Sequence, residues 1–288
     1  MTQLADLSRS LAAAAAQGAT AVIGVEGPRT RASGFVWRDG LVVTADEALE
    51  SEDGLSVRLP DGSQLEARLA GRDPSTDVAL LRVDGPLPAP VALDAATPRT
   101  LGEVALALGR AEHGTLAAFG ILGTVGPAWR SLRGGRIDAR LGLDLRLRGA
   151  MEGGLVLDAD GRAWGMAVRG PRRSALAIPA TTVERVAAHL LAHGRVARGY
   201  LGLGLQPVRL EDGATGAVVT SLDEGGPAKA AGVLQGDILL RFGGEPVGGM
   251  TFRQRLGPES VGQVMELALL RGGEARSVTL TVAERPAP

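Results

Sequence analysis

Cysteine is absent from the 288 residues. Its absence excludes disulfides, thiolate metal sites and a cysteine nucleophile, and leaves the redox compartment open. Aromatic residues are scarce, at 3% of the chain, and histidine occurs only at His113, His189 and His193. Imidazole chemistry therefore has few places to sit. No run approaches the ~18 apolar residues of a membrane helix, so no membrane span is expected. The formal charge is -1. It offers no footprint for nucleic acid or an anionic membrane surface.

What is present is glycine, 42 residues of it. With few helix-length apolar runs, this composition predicts short strands and tight turns. The N-terminal segment 1–20, MTQLADLSRSLAAAAAQ and onward, has an early Asp6, no basic cluster and an alanine-dominated apolar stretch. A secretory signal wants a positive start and a more apolar centre. Leu4, Leu7 and Leu11 instead share a helical face, which predicts a docked N-terminal helix. On that reading the chain is cytoplasmic.

From 21 to 178, β-rich runs alternate with turn residues. AVIGVE (21–26), SGFVW (33–37), LVVT (41–44), LSVRL (55–59), QLEARL (64–69) and VALLRV (78–83) form one group. A Pro-rich connector, 85–90, separates it from VALAL (104–108), the 116–124 region, LVLD (155–158), AWGMAV (163–168) and SALAI (174–178). Asp39-Gly40, Asp61-Gly62 and Asp160-Gly161 mark hairpin turns. Two such groups predict two small barrels or sandwiches. The period then changes. Val183, Val186, Ala187, Leu190 and Leu191 recur at helical spacing. Thr181 with Glu184 reads as a capping box and Gly194 as the stop. After a linker at 195–198, a new β-rich unit runs over 199–285.

In that last unit, Arg198-Gly199-Tyr200-Leu201-Gly202-Leu203 is followed by Gly225-Gly226-Pro227-Ala228-Lys229-Ala230-Ala231-Gly232. Gly236-Asp237-Ile238-Leu239 and Gly243-Gly244-Glu245-Pro246-Val247 come next. These motifs resemble, in order, the PDZ domain of the HtrA/DegP-type serine proteases. Asp73-Pro74-Ser75-Thr76-Asp77-Val78-Ala79-Leu80-Leu81 resembles the segment around the catalytic aspartate of the same family. The resemblance implies a mainly β chain: a trypsin-like double β-barrel over 21–194, then a PDZ domain, a small β-barrel with short helices.

Asp77 matches the triad acid. The other two triad motifs depart from the family. Thr44-Ala45-Asp46-Glu47-Ala48 places Glu47 where the family has histidine. Ala150-Met151-Glu152-Gly153-Gly154-Leu155 places Glu152 where it has the serine nucleophile. Asp144 still matches an acidic position in the preceding strand. Acyl transfer on this fold needs an attacking hydroxyl, an imidazole to carry its proton and backbone N–H groups for the oxyanion. Hydroxyl and imidazole are both missing, and a carboxylate attacks an amide poorly. His113 lies in a loop. His189 and His193 are four apart on the closing helix, with no third ligand to complete a metal site.

Glu47, Asp77 and Glu152 would converge. Two like charges ~4 Å apart repel by on the order of 4 kcal/mol at an effective dielectric near 20. Proton uptake, a bound Ca²⁺ or Mg²⁺, a Lys or Arg of the protein or a partner, or relaxation to solvent would each relieve this. Relaxation or an internal arginine is the expectation.

The resemblance further implies that a peptide C-terminus adds a strand beside Leu201–Leu205, with backbone N–H groups of the Tyr200, Leu201, Gly202 and Leu203 loop receiving its carboxylate. Phe252 and Leu256 either line the side-chain pocket or belong to the core. The function expected is a pseudoprotease that binds protein C-termini or unfolded segments, as scaffold, chaperone or regulator. It needs no cofactor and no metal. The alternatives are an active endopeptidase with an atypical site and a cation-binding protein built on the three carboxylates. The resemblance also implies a homotrimer, or a hetero-oligomer with an active relative, and a periplasmic location as the alternative to the cytoplasm.

Overall fold

The computed structural model describes residues 3–210, 213–247 and 251–286. Met1 and Thr2 of the N-terminal segment, and the last two residues of the tail, lie outside the described residues. The chain divides into two compact units. One comprises the chain through 129 together with Arg136–Val196; the other comprises Arg130–Gly135 together with the chain from Ala197 onward.

In the first unit, helix α1 (Gln3–Ala19) precedes two closed six-stranded barrels. The first barrel is built from β1 (Val22–Glu26), β2 (Arg31–Arg38), β3 (Leu41–Thr44), β4 (Ser56–Arg58), β5 (Gln64–Asp73) and β6 (Val78–Val83), in the order β1-β2-β3-β6-β5-β4. β7 (Val104–Ala111) and β8 (Gly114–Gly126) open the second barrel. The short strands β9 (Trp129–Arg130) and β10 (Arg136–Ile137) follow. β11 (Arg140–Asp144), β12 (Leu155–Leu157), β13 (Ala163–Arg169) and β14 (Ala175–Pro179) then close that barrel in the order β11-β14-β13-β12-β7-β8. Closure leaves neither barrel an edge strand. Helix α2 (Ala180–His193) ends the unit.

The alternation of side chains along each strand explains the continuous apolar runs in the sequence. On β2, Phe35 and Trp37 enter a cluster shared by both barrels, while Ala32 and Val36 enter the first barrel's own core. On β6, Val78 and Leu80 join the shared cluster and Ala79, Leu81 and Val83 the barrel core. β13 divides likewise, with Met166 and Val168 on the shared side and Trp164 and Ala167 on the second barrel's side. Strands buried on both faces read as unbroken hydrophobic stretches. α2 adds Val183, Val186, Ala187 and Leu190 to the shared cluster.

Three local expectations are corrected. The helix at Thr181 does not start with a capping box. Its N-cap is Pro179, without a side-chain cap, and Thr181 is already helical. The working hydroxyl is Thr182, which accepts from the Asp138 N–H at 2.9 Å and donates to the Asp138 carboxylate at 2.9 Å. Leu191 is exposed rather than buried. α1 forms but does not dock through Leu4 and Leu7, which are 76% and 40% exposed; Leu11 is half-buried, and the buried positions are Ala14 and Gly18. Close approach decides this, since a Cβ at Gly18 would lie 2.6 Å from Leu157. Arg110, nearly fully buried, holds the end of α1. It donates to Ala19 O and Val22 O, both at 2.7 Å, and burial lowers its pKa.

The second unit carries β15 (Gly199–Tyr200), β16 (Leu203–Arg209), β17 (Thr215–Leu222), α3 (Pro227–Ala230), β18 (Ile238–Phe242), β19 (Glu245–Pro246), α4 (Thr251–Arg255), β20 (Val264–Arg271), β21 (Glu274–Thr281) and β22 (Ala283–Glu284). β16-β17-β18-β20-β21 form one antiparallel sheet, with β19 on β18, and β15 pairs with β22. Its core gathers Leu201, Val219, Val233, Leu239, Phe242, Leu267 and neighbours. The Gly-Asp motif has a structural task here. Asp237 is buried, accepts from the Leu234 N–H and is clamped by Arg271 at 2.8 Å.

Candidate functional site

Two places hold the residues singled out in the sequence, one in each unit. In the first unit, the turn after β5 is tied by the buried Asp73 carboxylate. It accepts from the Ser75 N–H at 3.0 Å and from the Ser75 and Thr76 hydroxyls at 2.5 and 2.7 Å. The turn delivers Asp77 in the left-handed region, at φ 59°. Asp77 Oδ1 accepts the Glu47 N–H at 2.7 Å. Burial, then the charges of Glu47, Glu152 and Asp46, push the Asp77 carboxyl up to about 8, against the lowering pull of that hydrogen bond. Asp77 is therefore protonated at neutral pH. Asp46, beside it and buried, is neutralised by Arg72 at 2.5 Å.

The three carboxylates thus come close enough to act on one another, and each is relieved differently. Glu47 turns its side chain to solvent. Asp77 takes a proton. Glu152 is buried and pairs with Arg169, whose Nε lies 3.4 Å from one carboxylate oxygen and whose backbone N–H lies 3.4 Å from the other. Burial raises the Glu152 pKa and Arg169 opposes it. Arg169 is the internal arginine left unnamed in the sequence. It stands 17 residues from Glu152, at the end of β13, and no motif or spacing marks it. Among the described residues no three His, Asp or Glu side chains gather as a metal ligand set. His189 and His193 stack at 4.4 Å between ring centroids, and His113 sits in the β7–β8 turn.

The loop that carries Glu152 is a 3-10 turn, Gly149–Met151. Its N–H groups point back into the protein. Met151 donates to Arg148 O at 2.9 Å, Glu152 to Gly149 O at 3.2 Å, Gly153 to Ala167 O at 2.8 Å and Gly154 to Met151 O at 3.0 Å. Met151 is fully buried in the second barrel's core and anchors the turn. Ser33 seals the other side. Its N–H donates to Glu152 O at 2.8 Å, and its hydroxyl donates to Ala150 O at 2.5 Å and accepts from the Arg110 N–H at 2.8 Å. Gly153 is required at φ 83°, where a Cβ would lie 2.3 Å from Ser33 O. The arrangement offers paired and protonated carboxylates, and no N–H of residues 151–154 is left to receive an oxyanion.

In the second unit, Leu201 and Gly202 form the loop between β15, which ends at Tyr200, and β16. The carbonyls are used: Ala228 N–H donates to Leu201 O and Asp223 N–H to Gly202 O, both at 2.9 Å. The N–H groups of Leu201 and Gly202 have no acceptor among the described residues. Gly202 turns the chain at φ 72°, and a Cβ there would lie 2.7 Å from Gly226 Cα. The Tyr200 hydroxyl donates to the Asp223 carboxylate and braces the loop. That hydrogen bond raises the tyrosine pKa. Beyond the loop, β16 is the end strand of the sheet. Leu203, Leu205, Phe252 and Leu256 are all half-buried against the core, and the Phe252 ring is 5.2 Å from the Phe242 ring.

A trypsin-like peptidase domain matches residues 32–166, and a PDZ domain matches residues 199–282. A probable periplasmic serine endoprotease, DegP-like, from Brucella suis biovar 1 is 31% identical over 285 residues, covering 91% of this chain. The chain spans about half the length of the curated relatives it matches, 54% in that case. The solved serine endoprotease from Yersinia pestis aligns with a TM-score of 0.72 at 26% identity, over 96% of this chain and 98% of that one. The HtrA-type protease AlgW with tripeptide aligns with a TM-score of 0.69 at 26% identity, over the same shares of the two chains. No described helix is long and apolar enough to cross a membrane.

Proposed function

The chain belongs to the HtrA/DegP family of serine proteases, a trypsin-like peptidase domain followed by a PDZ domain, and on that premise we propose that it binds protein C-termini or unfolded segments through the PDZ domain without cleaving them, as a scaffold, chaperone or regulator. One observation carries the reading. At the nucleophile position stands Glu152, engaged by Arg169, in a loop whose N–H groups at 151–154 are occupied. The triad positions hold no hydroxyl and no imidazole, and the N–H groups of 151–154 are taken up by protein carbonyls, so acyl transfer lacks its nucleophile and its base. The free N–H pair at Leu201 and Gly202, beside the unpaired edge of β16, supports capture of a terminal carboxylate by strand addition. A homotrimer, or a mixed oligomer with an active relative, and a periplasmic setting like that in the relative's description are parts of this proposal. The cytoplasmic expectation finds no support in the comparisons.

The test is casein digestion by the purified chain beside Glu152→Ala, with binding of a fluorescent peptide read in parallel. Neither protein should cleave, and a peptide with a free C-terminus should bind where its amide does not. Cleavage by the wild type that disappears in Glu152→Ala would show a working site and sink the non-cleaving reading.

A further inference from the structure

β16 has β17 on one side and no partner on the other among the described residues. Its hydrogen-bonding phase is fixed by the hairpin that joins them. Leu210 N–H donates to Ala214 O at 2.8 Å, which makes 210 and 214 a hydrogen-bonded pair. Antiparallel pairs alternate between bonded and non-bonded. In the observed register, Val208↔Gly216 and Gln206↔Val218 are then bonded pairs, while Arg209↔Thr215, Pro207↔Ala217 and Leu205↔Val219 are not. The bulge beyond Leu205 places its extra residue, Thr220, on β17, so the alternation along β16 continues to Leu203. The groups aimed at the open edge are therefore those of Leu203, Leu205, Pro207 and Arg209. Proline has no N–H. The chemistry agrees with the geometry: Pro207 is tolerated because its nitrogen faces away from β17.

We infer that Pro207 ends the ladder available to a bound peptide, so that the groove reads only the last four residues of its ligand. The inference rests on the C-terminal-peptide reading proposed above. A carboxylate held at the Leu201 and Gly202 N–H groups sets the last peptide residue opposite Leu203. An antiparallel strand then places the third residue from the end opposite Leu205, where both N–H···O bonds form. The fifth from the end falls opposite Pro207. Its N–H can reach the Pro207 carbonyl, but its own carbonyl meets no donor. The fifth and sixth residues from the end add ordering entropy without a complete rung to offset it, and the next complete rung, opposite Arg209, lies beyond that gap. The ligands that fit are chain ends with short extended tails emerging from folded or disordered proteins, rather than long internal strands.

The experiment is a length series of peptides sharing one C-terminal sequence, of three, four, five and ten residues, plus a ten-residue amide, titrated against the whole chain and against Pro207→Val. For the wild type, affinity should rise from three to four residues and change less than about twofold thereafter. Pro207→Val restores one neutral hydrogen bond, which should tighten the five- and ten-residue peptides about three- to tenfold and leave the shorter ones unchanged. Affinity of the wild type that keeps climbing at the fifth residue would overturn the inference, and that measurement needs no variant. A Pro207→Val gain equal at all lengths would overturn it as well. Failure of every free-carboxylate peptide to bind, or equal binding of the amide, would overturn the C-terminal reading itself.

Discussion

Arg169 lies against Glu152 with both its side chain and its backbone N–H, each 3.4 Å from a carboxylate oxygen. On the non-cleaving reading proposed above, the pair takes the place that the nucleophile holds in the family. The missing hydroxyl is thus not a vacancy but an occupied position, held on a turn that Met151 and Ser33 pin from opposite sides.

Restoring the two missing side chains should therefore fail to restore proteolysis. Glu47→His with Glu152→Ser supplies imidazole and hydroxyl but leaves the N–H groups of 151–154 on protein carbonyls. Loss of one oxyanion donor alone lowers turnover by ~10²–10³. Fluorescent casein should remain uncleaved over a day, and cleavage near that of an active relative would show that the turn opens on its own.

Asp77 makes stability depend on pH in a definite sense. Its folded-state pKa, about 8, lies above the ordinary 3.8. Between those values the folded protein holds a proton that the unfolded chain releases, so stability falls as pH rises from about 4 to 8 and levels off above. Asn at 77 keeps an acceptor for the Glu47 N–H, tolerates φ 59° and carries no charge. Urea denaturation at pH 5 and pH 9 should show Asp77→Asn losing less stability than the wild type. Even a quarter of the displacement is worth about 1.4 kcal/mol.

Ser33→Ala should destabilise the first unit by about 1–3 kcal/mol, because it leaves the buried Arg110 N–H and Ala150 carbonyl without their shared partner. Thermal and urea unfolding read this directly. Peptide binding by the second unit should not change.

Gly202→Ala should abolish peptide capture. The new Cβ would meet Gly226 Cα at 2.7 Å and the backbone stands at φ 72°, so the loop must move and carry its two N–H groups off target. We expect at least a tenfold loss by fluorescence anisotropy, with the far-ultraviolet circular dichroism retained.

Much of the fold was legible because its punctuation is chemical. Gly40, Gly62 and Gly161 all adopt positive φ at the turns where the sequence places them, and Gly194 ends α2 at φ 74°. The sequence's two groups of strands correspond to the two closed barrels. The start of α2 was misread because Thr181 and Glu184 satisfy a local pattern, while the helix is positioned by strand β14 running straight into it through Pro179. The docking face of α1 was misread for a related reason. Hydrophobic periodicity favours leucine, but the barrel surface admits only a helix that can come close, and Ala14 and Gly18 allow that. At the site, the identities of Glu47, Asp77 and Glu152 were plain. Arg169 was not, because its pairing with Glu152 joins the end of β13 to the turn before β12 and leaves no interval to count.

Pro207 has a second consequence. An open strand edge is a template on which another copy of the same edge can nucleate an intermolecular sheet. Residues that bind by offering such an edge therefore carry a solubility hazard in a crowded compartment. Proline placed two rungs along, with the exposed cation of Arg209 beyond it, interrupts the row of donors that a sister molecule would need. An edge interrupted in this way is a poorer template for a sister molecule than an unbroken one.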